Sequence, residues 1–106
     1  MKVYNINNFK DGWFIGNFEP TVWLTGHFEV SYKTFEKGQT ESKHYQKKSK
    51  ELTLLIEGSC RIGSQILKPG DILEIDAKEI ADFEAYDNCK LIAIKCPSIP
   101  DDKYLA

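Results

Sequence analysis

The segment KELTLLIEGSCRIGSQILKPGDILEI, residues 50–75, consists of short apolar runs separated by turn residues. Within Leu52–Ile56 every second position is apolar, which is the period of a β-strand with distinct faces. Gly58 interrupts this run at a bulge or bend, and Gly63-Ser64 is typical of a two-residue hairpin turn. The segment therefore predicts several short strands and no helix.

The same pattern continues on both sides of this segment. Residues 28–33 alternate between apolar and polar side chains and predict a half-buried strand. Further short strands are predicted over 82–85 and 90–96. A chain of this length hides its strand edges by closing or stacking its sheets. Residues 27–97 are therefore predicted to form an all-β domain, a small antiparallel β-barrel or sandwich of six to ten strands.

The two ends of the chain differ from this body. Residues 1–26 are rich in aromatic side chains whose spacing fits neither a helix nor a regular strand. Left in water they would form an apolar patch, so this arm is predicted to pack on its own barrel or on a dimer partner. Residues 98–106 follow Pro97 and contain Pro100, which predicts an extended tail. The arm and the strand edges together predict a homodimer.

Composition excludes several partners. The 106 residues include 16 Asp and Glu against 14 Lys and Arg, for a net charge of -2. Binding to nucleic acid needs a clustered excess of basic residues, and spanning a membrane needs a long apolar run; the sequence has neither. Asn and Asp stand where a signal peptide needs an apolar core, which predicts a cytoplasmic protein. Three cysteines without CxxC spacing predict reduced thiols.

A motif with specific spacing begins at Gly38. His44 follows after five residues, Gln46 two positions later, Glu51 after four more residues and Gly58 after six. This spacing resembles the first motif of the cupin superfamily, G-x5-H-x-H-x3-4-E-x6-G, with Gln46 at the position of the second histidine.

From Gly70 the chain keeps the length of the second cupin motif, G-x5-P-x-G-x2-H-x3-N. Its key positions are replaced: Asp76 stands for Pro, Lys78 for Gly, Ala81 for the metal-binding His and Ala85 for Asn. The resemblance spans residues 28–96 and implies the small jelly-roll barrel of the cupins. It implies little of their metal chemistry.

The residues at the ligand positions make a weak donor set. His44 and Glu51 match the motif, Gln46 offers only a neutral amide oxygen, and Ala81 offers nothing. Asp82 is adjacent, but period-two alternation turns it to the opposite face. The resemblance therefore implies no tightly bound cofactor, and at most a divalent metal ion held weakly by His44, Gln46 and Glu51.

These residues also have interpretations without a metal. His44 is predicted to hydrogen-bond to Glu51 or Gln46 at the barrel mouth, an arrangement suited to acid-base chemistry. Glu51 alternatively pairs with a nearby lysine in solvent. Arg61 either anchors a carboxylate or phosphate or is a solvated strand residue. Tyr45, with Tyr32 and Phe83, is expected to line the mouth.

Three functions follow from these features. The first is binding of a small polar metabolite, sugar-like or carboxylate, inside the barrel. Its predicted ligand-binding residues are His44, Gln46, Glu51, Arg61 and Tyr45. The second is a metal-assisted or acid-base isomerase or epimerase using His44 and Glu51. The third is a structural dimerisation module. Because one barrel fold hosts unrelated chemistries, the sequence leaves open whether the protein is an enzyme.

Overall fold

The computed structural model describes all 106 residues, as eleven short strands and two 3-10 helices. The strands are β1 (Trp13–Gly16), β2 (Trp23–Leu24), β3 (Glu29–Phe35), β4 (Thr40–Tyr45), β5 (Lys50–Glu57), β6 (Cys60–Ile62), β7 (Gln65–Leu67), β8 (Ile72–Ile75), β9 (Ala81–Ala85), β10 (Cys89–Cys96) and β11 (Tyr104–Leu105); the 3-10 helices are Ile6–Asn8 and Lys10–Gly12. The all-β prediction is confirmed. Neither helix has the length and apolar character needed to cross a membrane.

Two sheets face each other. One has the strand order β2-β1-β3-β10-β5-β8, the other β11-β4-β9-β6-β7, and every pair except β1 with β2 is antiparallel. Eight strands, β3 to β10, lie in the predicted barrel region. The remaining three bring the total above the predicted six to ten, because the terminal segments pair with the open edges of β3 and β4.

The barrel interior changes from apolar to charged along its length. Its apolar end is filled by ten buried residues: Leu55, Cys60, Ile62, Leu67, Ile75, Phe83, Ala85, Cys89, Leu91 and Ala93. Moving along β10, its inward residues are Cys89, Leu91, Ala93 and finally Lys95, whose neighbours on the adjacent strands are Glu29 and Glu51. The polar end of the interior is therefore built into the register of the central strands.

The inward side of β3 is its polar side. Ser31 is completely buried opposite Ala93, and Lys33 lies opposite Leu91, so both belong to the interior. Val30 and Tyr32 consequently face the outer side of the sheet. The predicted alternation is present, but the polar residues of β3 face the interior, because β3 borders the charged end of the barrel.

The N-terminal arm is part of the larger sheet. β1 pairs with β3, and β2 pairs in parallel with β1. Residues 13–16 and 23–24 are strands although the aromatic spacing of residues 1–26 fits no regular strand, because strands this short show no period. Gly12 permits this docking: its φ is +78°, and a Cβ there would lie 1.9 Å from the carbonyl oxygen of Tyr32.

The C-terminal segment is fastened to the smaller sheet. β11 pairs with β4, so residues 98–106 include a strand as well as extended chain. Just before β11, the buried Asp102 carboxylate accepts hydrogen bonds from the backbone N–H groups of Lys47, Lys48 and Ser49, at 3.1, 3.0 and 3.0 Å. These bonds close the loop between β4 and β5.

Candidate functional site

A cavity occupies the charged end of the barrel. Its inner part, about 60 Å³, is lined by residues that include His44, Glu51, Thr53, Ala81 and Phe83. A larger cleft of about 690 Å³ lies between the barrel and the N-terminal segment. The two spaces meet at the residues that line both: Trp13, Lys33, Phe35, Glu41, Lys95 and Lys103. The inner part has room for a few waters or one polar group, and the cleft for a metabolite.

Two lysines converge on one indole ring where these spaces meet. The Nζ atom of Lys33 is 5.1 Å from the centroid of the Trp13 ring, and that of Lys95 is 4.9 Å from it. Attraction of a cation to an indole face contributes about 0.5–2 kcal/mol. Neither ammonium group forms a salt bridge. Two positive charges therefore lie near one indole ring without a direct carboxylate partner.

The electrostatic surroundings leave Lys33 a poorly compensated cation. Burial lowers the pKa of Lys33 below its ordinary value; Glu41 acts in the opposite direction, and the charge of Lys95 lowers it further. The net lowering means that the protein stabilises this ammonium group less well than water does. A negative charge in the cleft would offset that deficit.

A β-bulge gives the cavity its acidic wall. Glu41 pairs with Phe83 and His44 with Ala81, and the register of β4 against β9 shifts between these two pairs. Without the shift, residues three apart would face opposite sides of the sheet. Because of it, both Glu41 and His44 line the cavity. Glu41 also lies 3.9 Å from Lys103 of the C-terminal segment.

The imidazole of His44 is oriented by its own strand. Its Nδ1 lies 2.8 Å from the carbonyl oxygen of Ser42, which can only accept a hydrogen bond. Nδ1 therefore carries a proton, and in the neutral ring Nε2 is the acceptor. The predicted hydrogen bond to Glu51 or Gln46 is absent, because the nearer carbonyl takes the donor. Glu51 shares the cavity with His44 and forms no salt bridge to a lysine.

Gln46 lies apart from this set. β4 ends at Tyr45, so the period of two that would place Gln46 beside His44 does not continue. Gln46 is buried and lines a different cleft with Asp102, and its carbonyl accepts the N–H of Lys78. No three His, Cys, Asp or Glu side chains are grouped closely enough to hold a metal ion. The predicted set of His44, Gln46 and Glu51 is therefore not assembled, and the residues present do not fit the cupin metal.

Arg61 and Tyr45 face away from the cavity. Arg61 donates to Asp82 at 2.7 Å and to the carbonyl of Gly63 at 2.7 Å, so its guanidinium is already occupied. This bond lowers the pKa of Asp82. Tyr45 stacks on Tyr104, with ring centroids 5.5 Å apart. Of the three aromatics expected at the mouth, Phe83 lines the inner cavity and Tyr32 borders the larger cleft outside it, whereas Tyr45 lines neither.

Sequence reasoning missed the lysines and the indole that dominate this site. Lys33 and Lys95 were detectable in principle, since each continues the inward side of a strand whose other residues are buried. A lysine is ordinarily solvated, so its position in the strand gave no reason to prefer the interior. Trp13 reaches the site only through the pairing of β1 with β3.

No protein-family model and no curated protein sequence matches the chain. Several solved structures, however, have a similar fold. A protein with a double-stranded β-helix domain from Klebsiella pneumoniae is 18% identical, with a TM-score of 0.70 over 77% of this chain and 72% of that chain. A sugar phosphate isomerase of the cupin superfamily from Silicibacter pomeroyi is 20% identical, with a TM-score of 0.67 over 78% of this chain and 58% of that chain.

The DMSP lyase DddQ from Ruegeria pomeroyi is 15% identical, with a TM-score of 0.74 over 89% of this chain and 49% of that chain. Identities this low establish the fold and leave the chemistry open. They agree with the motif spacing from Gly38 to Gly58 and with the two-sheet barrel. The chain has the double-stranded β-helix fold of the cupin superfamily.

Proposed function

We propose that the chain binds a small hydroxylated carboxylic acid, such as a sugar acid, in the cleft that leads into the barrel. The observation that carries this proposal is the convergence of Lys33 and Lys95 on Trp13 without a salt bridge. A carboxylate placed between the two ammonium groups would form charge-assisted hydrogen bonds with both.

The cavity also carries groups that suit hydroxyl groups. Glu41, Glu51 and the Nε2 atom of neutral His44 are hydrogen-bond acceptors, and they line the cavity that the lysines border. A ligand that carries both a carboxylate and hydroxyls satisfies both the lysines and these acceptors. A simple inorganic anion would satisfy only the lysines. The indole of Trp13 supplies an apolar surface against which the carbon skeleton can pack.

The experiment compares acids with neutral counterparts by calorimetry. Glycerate, gluconate and galacturonate are tested against glycerol, sorbitol and galactose, which lack the carboxylate. At least one acid is expected to bind, and its neutral counterpart is not. Lys95→Met should weaken that binding about 10- to 100-fold, since a hydrogen bond to a charged group contributes roughly 1.5–3 kcal/mol.

The matched control is Lys90→Met, on the same strand. Lys90 is exposed, lies outside the cavity and pairs with Glu57. Its replacement removes the same charge from the chain and should leave affinity unchanged. Equal binding of acids and neutral compounds, or equal effects of Lys90→Met and Lys95→Met, would contradict the proposal.

A second candidate is an acid-base isomerase that acts on the same ligand class. It is favoured by the presence of Glu51 and an Nε2 acceptor on His44 in one cavity. An isomerase of this type removes a proton from carbon, so it exchanges a ligand C–H for deuterium in D₂O. Nuclear magnetic resonance of a bound acid should show this exchange, and His44→Ala should abolish it. Binding without exchange identifies a binding protein.

A further inference from the structure

The side chain of Lys33 extends from the packed interior of the barrel into the candidate site. On the inward side of β3, Lys33 lies between Ser31, which is completely buried, and Phe35, whose ring packs on Phe83 with centroids 4.4 Å apart. Its partner on β10 is Leu91, which belongs to the core. Lys33 lines both the inner cavity and the larger cleft, so its amine lies where the two spaces meet.

The amine of Lys33 has no direct anionic partner and lies near other charges of both signs. It forms no salt bridge. Burial is the main cause of its lowered pKa; Glu41 and Glu51 oppose this effect, whereas Lys95 and Lys103 add to it. At neutral pH a larger fraction of Lys33 than of an exposed lysine is therefore the neutral amine.

A neutral lysine amine is a nucleophile toward a carbonyl carbon. Lysines that form Schiff bases are commonly held in an apolar pocket or beside another cation, because both surroundings favour the neutral amine. Lys33 has both, since it lies opposite Leu91 and since Lys95 approaches the same indole ring. Lys95 also offers an ammonium group that can hold a carboxylate of the reacting molecule.

We propose that Lys33 forms a reversible imine with carboxylic acids that also carry an aldehyde or ketone group. This inference rests on the proposed function, because it uses the same cleft and narrows the ligand class to acids with a carbonyl group. Lys95 binds the carboxylate, and the neutral amine of Lys33 attacks the carbonyl carbon. Sugar acids that open to an aldehyde, such as galacturonate, belong to this class. Acids without a carbonyl group bind through both ammonium groups and do not react.

The reaction releases one water molecule and needs no oxidant or reductant. The lone pair of the Lys33 amine forms a C–N bond to the carbonyl carbon, and the π electrons of the C=O bond move to the oxygen. Transfer of one amine proton to that oxygen gives a carbinolamine. Loss of the oxygen as water, together with the second amine proton, leaves a C=N bond. Glu41, Glu51 and His44 line the same cavity and are the groups available to carry these protons.

The test traps the imine in the wild-type chain. Glyoxylate and pyruvate are incubated with the protein and sodium cyanoborohydride at neutral pH, which reduces an imine to a stable secondary amine. Peptide mass spectrometry then gives the rate of modification of each lysine. Lys33 should be modified about tenfold faster than Lys90, which is exposed and lies outside the cavity.

Glycolaldehyde is the matched control reagent, since it has an aldehyde and no carboxylate. The ratio of the Lys33 rate to the Lys90 rate should be higher with glyoxylate than with glycolaldehyde. Because Lys90 experiences the same reagent, this ratio removes the difference in reactivity between the two aldehydes. Lys95→Met should lower the ratio for glyoxylate to that for glycolaldehyde, because the carboxylate loses its partner.

Lys33→Arg separates imine formation from electrostatic binding. Arginine keeps the positive charge and does not form the imine, so modification at position 33 should be lost while gluconate and glycerate bind as they do to the wild-type chain. Lys90→Arg is the matched control and should leave modification of Lys33 unchanged. Circular dichroism establishes that the variants are folded, and the wild-type rate ratio is independent of any variant.

The outcomes distinguish this inference from the proposed function. Equal rates at Lys33 and Lys90, or equal rate ratios with glyoxylate and glycolaldehyde, would overturn the imine. If calorimetry shows that acids bind in preference to their neutral counterparts while Lys33 is not preferentially modified, the imine fails and the binding function stands. If neither preference is observed, both proposals fail.

Discussion

The side-chain carboxylate of Asp102 accepts a hydrogen bond from the backbone N–H of Ser49, 53 residues earlier in the chain. The same carboxylate accepts the N–H groups of Lys47 and Lys48. Burial alone would raise the pKa of Asp102, but these backbone donors outweigh it and the pKa is lowered. The ionised form is therefore part of the fold, and it ties the C-terminal segment to the loop that follows β4.

Asp102→Asn should destabilise the chain by about 1.5–3 kcal/mol, the contribution of hydrogen bonds to a charged acceptor. Urea denaturation measures the loss. A lowered pKa stabilises the folded state above the unfolded pKa of about 3.9, and this contribution disappears as the pH falls through the folded pKa. The difference between wild type and Asp102→Asn should consequently shrink below about pH 4.

The control for this variant is Asp101→Asn. Asp101 is exposed and has a φ of +60°, which asparagine tolerates as readily as aspartate does. It should change stability by less than about 0.5 kcal/mol. Equal losses from the two variants would show that Asp102 acts through net charge and not through the loop that it closes.

Substitutions at Gly58 and Gly70 distinguish the cost of backbone strain from the cost of a steric clash. Both have left-handed backbone, with φ of +90° and +93°, so a Cβ at either position costs about 1–2 kcal/mol. At Gly70 the added atom meets open space. At Gly58 it lies 2.1 Å from the carbonyl oxygen of Asn88. Gly58→Ala should therefore lower the free energy of unfolding more than Gly70→Ala does; equal losses would mean that the chain at Asn88 moves freely aside.

The three thiols should react at very different rates. Burial raises the pKa of Cys60 to about 11 and also raises that of Cys89, whereas Cys96 is exposed. Because the thiolate is the reactive form, a disulfide reagent at pH 8 should label Cys96 rapidly and the others only on unfolding. Mass spectrometry of the labelled peptides identifies the sites. Fast labelling of Cys60 in the folded chain would contradict the burial described above.

Ionisation of the buried thiols should lower the stability of the folded chain at alkaline pH. When a thiol has a higher pKa in the folded than in the unfolded state, the folded state favours its protonated form. Its contribution to the free energy of unfolding is therefore full below the unfolded pKa and is lost as the pH rises through the folded pKa. For Cys60 that interval runs from the ordinary 9.0 to about 11. Cys60→Ala should remove part of the loss of stability over that interval, as measured by urea denaturation at several pH values.

The strands were predictable because their signal is local. Turn residues such as Gly63-Ser64 and Lys68–Asp71 separate the short runs, and the structure places β6, β7 and β8 on either side of them. The orientation of each strand was harder to predict. In Leu52–Ile56 the more numerous apolar positions face outward and Leu55 faces the core, so the number of apolar residues on a side does not identify the buried side.

The candidate site depends on structural features that the spacing of residues along the sequence does not reveal. The bulge between Glu41 and His44 adds one residue to β4, and it alone brings Glu41 into the cavity. Gln46 was assigned to the site from the motif, yet β4 ends one residue earlier and the chain turns away. Both differences follow from hydrogen bonding to β9 and to the C-terminal segment, which are distant in sequence.

The missing cupin histidine can be restored at one position. Ala81 lies directly opposite His44 on β9 and lines the same cavity, which also contains Glu51. Directly opposed residues have Cβ atoms about 4.5–5.5 Å apart, a separation that two imidazoles can bridge through one metal ion. Ala81→His should therefore bind Zn²⁺ or Ni²⁺ at least tenfold more tightly than the wild-type chain, as measured by calorimetry.

Gln46→His is the informative comparison, because motif spacing alone would favour it equally. Its imidazole would lie in the cleft beside Asp102, away from His44, so it should add no affinity to either the wild-type chain or Ala81→His. Removing His44 from the Ala81→His variant should abolish the gain, since one imidazole and one carboxylate make a weak site. A gain from Gln46→His that matches that from Ala81→His would mean that Gln46 and His44 share a cavity after all.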